Sequence, residues 1–516
     1  MSDRADDILV AGGGDVGLLT ALSLRKLAPG AAVRVVDDFE QEVPQVGKST
    51  YLDIQRVLHG ALDIDEIRFV SEVKPVWKAS VYFRDWCEAP PFNYTFDSAD
   101  SFTGPETGDL AGRSQFYYEA LAGDADYESR AGELVEQDKS PWYYERNGDL
   151  AKYDKFAYHV TTKRFNPFLR ELCRERGVEL VDDEVVTVET TGSHIDAVRG
   201  EHDRYEADLY VDATGFNRVL RSEQDASFRT FDFPLDRALN ARIERPLSEV
   251  VPATVIESGD HGWFWQIDTF DNRDLGYVYA SEFVDEADAR EEFREYVADV
   301  ATDGVDPSLS AEEMDTYEFT SGYHDRAWVD NCVAIGNAEG FVEPLQSTAL
   351  TANASLALTL GEQLGGNDRV VDDGVRSGYN ERVSQTWESI YDFVAVHYRY
   401  ASGETPFWQR ASSIDVSDRL ERIVDLFDER GFDPNVVEDP GEELSDLAVF
   451  LPWDFFVVMR NLGASSQVHE NGSRQVDGSF RREAERYYRE IRTEVEASHL
   501  STEEFYKGIL QGGQLA

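Results

Sequence analysis

A glycine turn set between an apolar strand and an amphipathic helix constrains this chain more than any other feature. Ile8 to Ala11 is an apolar run, and Gly12-Gly13-Gly14-Asp15-Val16-Gly17 follows it directly. Apolar residues then recur at helical spacing from Leu18 to Leu27, until Pro29-Gly30 stops the helix. Val33 to Val36 is a second β-branched run, and it ends at Asp37. The order predicts a βαβ unit at the start of the chain. Glycines at Gly12, Gly14 and Gly17 let the backbone approach a pyrophosphate, whose charge then sits on the helix N-terminus. Asp37, at the end of the second strand, is placed to accept the ribose hydroxyls. This motif by itself fits FAD and NAD equally.

Composition narrows the surroundings. Acidic residues number 101 against 49 basic ones in 516 residues, a net charge of −52. Repulsion on that scale argues against nucleic acid and anionic membranes as partners. The acids are spread along the whole chain, and lysine is scarce, with none between Lys163 and Lys507. That pattern is the usual one for cytosolic proteins of salt-loving cells, where screening over about 3 Å at molar salt removes most self-repulsion. Cys87, Cys173 and Cys332 are far apart, with no CxxC and no histidine cluster beside them, so neither a disulfide framework nor a metal site is expected. With no basic-apolar leader and no 18-residue apolar run, a cytoplasmic protein is expected. The sequons at Asn93, Asn353 and Asn471 are then chance matches.

Along the chain, a helix is expected from about Tyr51 to Leu58. A strand is expected from Val76 to Arg84, with Val76, Lys78, Ser80, Tyr82 and Arg84 on one face, which puts Lys78 on the polar face of its strand. Pro90 to Glu133 reads as a loop system. Phe165 to Arg176 reads as an amphipathic helix, Val178 to Val211 as short strands, and Trp263 to Phe283 as strands again. Helices are expected at Ala287–Val300, Thr348–Leu364, Gly378–Tyr400, Ser413–Glu429 and Phe480–Ser498.

Later segments separate FAD from NAD by resemblance. Tyr210-Val211-Asp212-Ala213-Thr214-Gly215-Phe216, and Ile335-Gly336-Asn337 before Gly340-Phe341-Val342-Glu343-Pro344-Leu345, resemble segments with which FAD monooxygenase-type folds hold the ribityl chain and the diphosphate. Gly47-Lys48-Ser49-Thr50 is not a P-loop, because Glu42 stands where the first glycine would be needed. It resembles the flavin-contacting strap of the flavin-dependent halogenases of the tryptophan halogenase family, with Lys48 in place of an acid. Val76-Trp77-Lys78-Ala79-Ser80-Val81-Tyr82-Phe83 is similar to that family's strand bearing the active-site lysine. Trp263-Phe264-Trp265-Gln266-Ile267 resembles its WxWxIP signature, with Asp268 for the proline. Glu343-Pro344-Leu345-Gln346-Ser347-Thr348 resembles its EPLEST segment, and Ile390 to Tyr398 followed by Thr405-Pro406-Phe407-Trp408 resembles its TPFW region.

The resemblance implies an α/β fold (α+β overall). It comprises a Rossmann-like FAD-binding domain of the monooxygenase type, an interleaved substrate domain and a mostly helical C-terminal part. The expected boundaries are 1–350 for the discontinuous flavin domain, with inserted substrate strands at about 76–160 and 225–325, and 351–516 for the helical region. It further implies that reduced flavin and O2 form a hydroperoxide that oxidises chloride or bromide, and that Lys78 directs the resulting hypohalous acid onto an aromatic or electron-rich small molecule. Cofactor contacts are then expected from Gly12, Gly14, Gly17, Asp37, Lys48, Ser49, Thr50, Gly336 and Leu345, and halide contacts from Ser347 and Thr348. Trp263, Trp265, Phe341, His397, Phe407 and Trp408 would line the substrate or tunnel side. Gln346 would stand beside Lys78 in catalysis, although an amide cannot take a proton as the family acid does. A separate flavin reductase would supply FADH2, because the chain shows no second nucleotide-binding βαβ unit, and a homodimer is left open. Gln346, Asp268 and Lys48 keep open a halogenase-fold monooxygenase or dehydrogenase that does not halogenate, and a non-catalytic flavin-binding protein is a third reading.

Overall fold

The computed structural model describes residues 3–41, 47–98, 110–301, 314–433, 435–438, 449–471 and 476–510. Glu42 and the segment 99–109 within the expected loop system therefore lie outside the described residues. The chain forms two compact units. One comprises Met1–Pro75, Val160–Phe231 and Phe319–Glu388, and the other comprises Val76–His159, Asp232–Glu318 and Ser389–Ala516.

The first unit is built on a six-stranded sheet in the order Glu179–Asp182, Ala32–Asp37, Asp7–Ala11, Leu209–Asp212, Cys332–Ala334, Trp328–Val329. The first five strands are parallel and the last is an antiparallel edge. Strands such as Ile8-Leu9-Val10-Ala11 are 0 % exposed, as a parallel sheet covered on both faces requires. The helix Asp15–Leu27 joins the strands Asp7–Ala11 and Ala32–Asp37, and it packs on the helices Thr162–Glu175 and Ala349–Gly366. Helices thus lie on one face, while Ile195, Val198 and Tyr205 of the small sheet Val185–Thr191, His194–Gly200 and Arg204–Tyr205 pack on Leu9, Ala11 and Val36 of the other. In this Rossmann-like parallel sheet the glycine turn lies at the carboxyl end of the Asp7–Ala11 strand.

The second unit is built on a seven-stranded sheet in the order Asp315–Glu318, Arg237–Ile243, Arg273–Tyr279, Gly262–Asp268, Ala253–Ser258, Ser80–Asp85, Phe92–Thr95. Period-two alternation gives it two apolar faces. On one face Phe264 stacks on Tyr277 and on Phe293 and Tyr296 of the helix Glu286–Val300. On the other, Phe83 stacks on His397 near the end of the 27-residue helix Asp373–Arg399.

Several local expectations change. The strand expected over Val76–Arg84 is two strands, Val76–Lys78 and Ser80–Asp85. Ala79 donates its N–H to the Pro252 carbonyl, so the chain changes partner there, leaving the strand Ala157–Thr161 for Ala253–Ser258. The helix expected from Tyr51 is a π-helical turn at Arg56–Ala61, and Glu66–Val73 is a helix that was not anticipated. The Pro90–Glu133 stretch holds the strand Phe92–Thr95 and the helices Leu110–Ala120 and Arg130–Glu136. Leu110–Ala120 buries residues around most of its circumference, which erases the helical period. The remaining helices form close to where periodicity put them.

Candidate active site

The flavin-side features meet at the glycine turn of the first unit. Gly12 has φ +107°, and a Cβ there would come within 2.5 Å of the Ala213 carbonyl oxygen, so the turn sits directly on the Asp212-Ala213-Thr214-Gly215 segment. A Cβ on Gly17 would lie 2.0 Å from the Gly12 carbonyl oxygen. At Gly14, the residue before the helix, a Cβ would meet nothing within 4 Å, and glycine has no side chain with which to cap that helix end. Open space above uncapped N–H groups is what a diphosphate needs.

Asp15 lies buried in the first helical turn, where its charge would repel such a ligand, but it is neutralised. Lys48 Nζ lies 2.7 Å from its Oδ2, and Asn166 donates to its Oδ1 at 3.0 Å and to the Gly13 carbonyl at 3.0 Å. Lys48, which replaces the family acid, therefore acts as the counter-ion of Asp15. Asp37 is held by the Gly13 N–H while burial, the larger effect, raises its pKa. Gly336, at φ +69°, packs on Val16, and its N–H is held by Asn353 Oδ1 at 2.9 Å. The sequon asparagine Asn353 is thus a buried structural residue. Ser49, Thr50 and Leu345 are buried. These residues fit a bound FAD.

Thr348 precedes the 18-residue helix Ala349–Gly366, and its side chain makes no cap hydrogen bond. Ser347 has φ +57°, an uncommon value for a residue other than glycine, and it turns the chain into that helix. Gln346 is 1 % exposed.

In the second unit Lys78 is 0 % exposed, which overturns its expected place on a polar strand face. Its Nζ stands 5.5 Å from the centre of the Phe96 ring, and burial pushes its pKa down to about 7. Burial of this kind favours the neutral amine over the ammonium.

The aromatic set divides. Trp263, His397, Phe407 and Trp408 are at most 2 % exposed. Trp263 Nε1 donates to Tyr398 Oη at 3.0 Å, Trp408 Nε1 donates to the Gly259 carbonyl at 2.8 Å, and His397 bonds the Phe393 carbonyl at 2.8 Å. Burial brings the His397 pKa down to about 4, so it is a neutral core histidine. These four pack the sheet. Trp265 and Phe341 are only half-buried. Thr405 caps the short helix Pro406–Ala411, accepting from the Trp408 N–H, and Pro406 takes its first position.

Asp268, where the family signature has proline, is a buried carboxylate. Arg273 donates to it at 2.8 and 3.1 Å, Arg245 Nε lies 3.4 Å away, and the Val251 N–H donates at 2.8 Å. Asp268→Asn should cost about 3–5 kcal/mol by leaving buried guanidinium charge unmatched. Calorimetric unfolding would check this, and an unchanged melting temperature would contradict it.

A tryptophan halogenase family model matches residues 7–477, and the chain belongs to this family. It is 28 % identical to the tryptophan 6-halogenase SttH of Streptomyces toxytricini over 454 residues, covering 81 % of this chain and 83 % of that one. It is 26 % identical to the tryptophan 7-halogenase RebH of Lentzea aerocolonigenes, covering 83 % and 82 %. Among solved structures, MibH, a tryptophan 5-halogenase, superposes with a TM-score of 0.79 at 25 % identity, covering 99 % of this chain and 96 % of that one. The chain is a flavin-dependent halogenase, an oxidoreductase that uses FADH2 and halide.

Asp15, Asn166 and the helix Glu66–Val73 escaped the sequence reading. Asp15 was visible inside the glycine motif, but its partners come from distant segments.

Proposed function

We propose that the chain installs chlorine or bromine on an aromatic or electron-rich small molecule, with Lys78 as the group that receives and directs the halogen. The observation that carries this reading is a lysine at 0 % exposure with its pKa near 7. An ammonium is not a nucleophile, whereas a shielded amine is.

When bound, reduced FAD supplies with O2 the oxidising equivalent that converts halide to hypohalous acid. The glycine turn would hold the diphosphate, and Asp37 the ribose hydroxyls. Ser347 and Thr348, at the N-terminus of a helix that the Thr348 side chain does not cap, would hold the halide. Lys78 then forms an N–X bond as the O–X bond of hypohalous acid breaks, and an amine proton passes to the departing hydroxide, which leaves as water. Transfer to a ring carbon forms C–X, breaks N–X and C–H, and returns the proton to the amine. Gln346 would orient the ring by hydrogen bonding, since it cannot serve as the base. Of the six aromatic residues expected on the substrate or tunnel side, Trp265 and Phe341 keep part of their surface exposed. The relatives named tryptophan halogenases make an indole a natural first substrate. A separate reductase would supply FADH2, a homodimer fits the proposal, and the acidic composition points to a salt-rich cytoplasm.

The test is purified protein in high salt with FADH2 regeneration, O2, bromide and a panel of aromatics, read by mass spectrometry. A bromine isotope doublet is expected. Flavin turnover with only oxygenated products would favour a monooxygenase and make Gln346→Glu the next variant.

A further inference from the structure

Lys78 does not stand alone in the second unit. In the antiparallel pair Val76–Lys78 with Ala157–Thr161, Ala157 lies opposite Lys78 and His159 opposite Val76. Side chains two residues apart share a face, so His159 and Lys78 are diagonal neighbours, about 7–8 Å apart at most between backbones. Both are 0 % exposed.

The two ring nitrogens of His159 are both committed. Nδ1 lies 2.9 Å from the Asp268 carbonyl oxygen, and Nε2 lies 2.9 Å from Thr254 Oγ1. A carbonyl only accepts, so Nδ1 carries the proton. Burial, and then the Lys78 charge, bring the ring's pKa down to about 3. The ring is therefore neutral, Nε2 is an acceptor, and the Thr254 hydroxyl donates to it. That leaves the Thr254 oxygen with only lone pairs to offer. Thr254 is on the strand next to Ser80–Asp85, just after the Pro252 carbonyl that binds the Ala79 N–H. Around this chain the charged groups of the unit are the Asp268 carboxylate with Arg245 and Arg273, while Phe96 faces Lys78 from beyond the strand Phe92–Thr95.

We propose that His159 is a positioning residue for Lys78: by taking the Thr254 proton it makes that hydroxyl a pure acceptor, which holds one Lys78 N–H and leaves the amine lone pair free for the halogen. The proposal rests on the reading of Lys78 as the halogen acceptor. No group is consumed in the arrangement, since the proton stays between Thr254 and His159.

Nine lysines make the protein suitable for [13Cε]lysine labelling, with Lys78→Ala identifying the resonance. Thr254→Val removes the acceptor, and His159→Phe frees the hydroxyl proton to cap the amine lone pair. In each, Lys78 should titrate about one pH unit lower, and kcat for bromination should fall at least about tenfold with KM unchanged. Thr254→Ser should recover both. A Lys78 resonance that titrates unchanged in Thr254→Val and His159→Phe would overturn the proposal and leave His159 a packing residue. Shifted titration together with bromination surviving in Lys78→Ala would instead overturn the role of Lys78.

Discussion

A Lys78→Ala protein should bind FAD with unchanged affinity and form at least about a thousandfold less halogenated product. The loss follows from removing the one lysine buried among the described residues, and the retained affinity follows because the glycine turn belongs to the other compact unit. Product from this variant at the wild-type rate would remove Lys78 from the mechanism. Lys78→Met keeps the volume and adds a stability readout. Folding lowers the lysine pKa from 10.5 to about 7, so the unfolded chain binds more protons between those values. Below pH 7 the burial of this charge costs on the order of 5 kcal/mol, and the cost fades as pH rises toward 10.5. Lys78→Met should therefore melt higher than wild type at pH 7, with the difference shrinking toward pH 10. A pH-independent difference would mean that Lys78 is not a buried titrating group.

Gly14→Trp should fold like the wild type and lose FAD affinity at least about a hundredfold. The reason is geometric. A Cβ at Gly14 meets no described atom within 4 Å, so the side chain starts into the open space above the helix N-terminus, where the diphosphate is proposed to lie. Gly12→Ala makes the opposite test, because φ +107° and a contact of 2.5 Å with Ala213 strain the folded state itself. That variant should lose stability by about 1–3 kcal/mol or more. Flavin fluorescence titration and thermal melts of the pair separate the two effects. Undiminished FAD binding by Gly14→Trp would refute the assignment of the turn.

The glycine turn was legible in the sequence because its chemistry is local: glycines, a helix and a terminal acid lie within one βαβ unit. The long helices were legible for the same reason, since periodicity is a property of neighbouring residues. Where side chains are defined by distant partners, the sequence was a poor guide. Lys78 read as a residue on a polar face because alternation was carried through Ala79, and the change of partner strand at that residue has no sequence signature. Lys48 and Asp268 looked like departures that weakened function. In the fold one neutralises Asp15, and the other anchors two arginines. His397 read as a tunnel residue, yet both its burial and its bond to Phe393 make it core. His159 went unnoticed because a single histidine in a strand shows nothing of the carbonyl and hydroxyl that fix its tautomer.

Thr405-Pro406-Phe407-Trp408 was the segment of the C-terminal region that most resembled the family, and its parts are a cap, a helix start and two packed rings. Such a tetrapeptide is a badge of architecture, not of reactivity. A genome survey that counts it would collect scaffolds, including descendants that kept the framework and gave up the reaction. Sorting working enzymes from such descendants calls for a second question at each hit: whether a lysine still stands one residue before the strand changes partner.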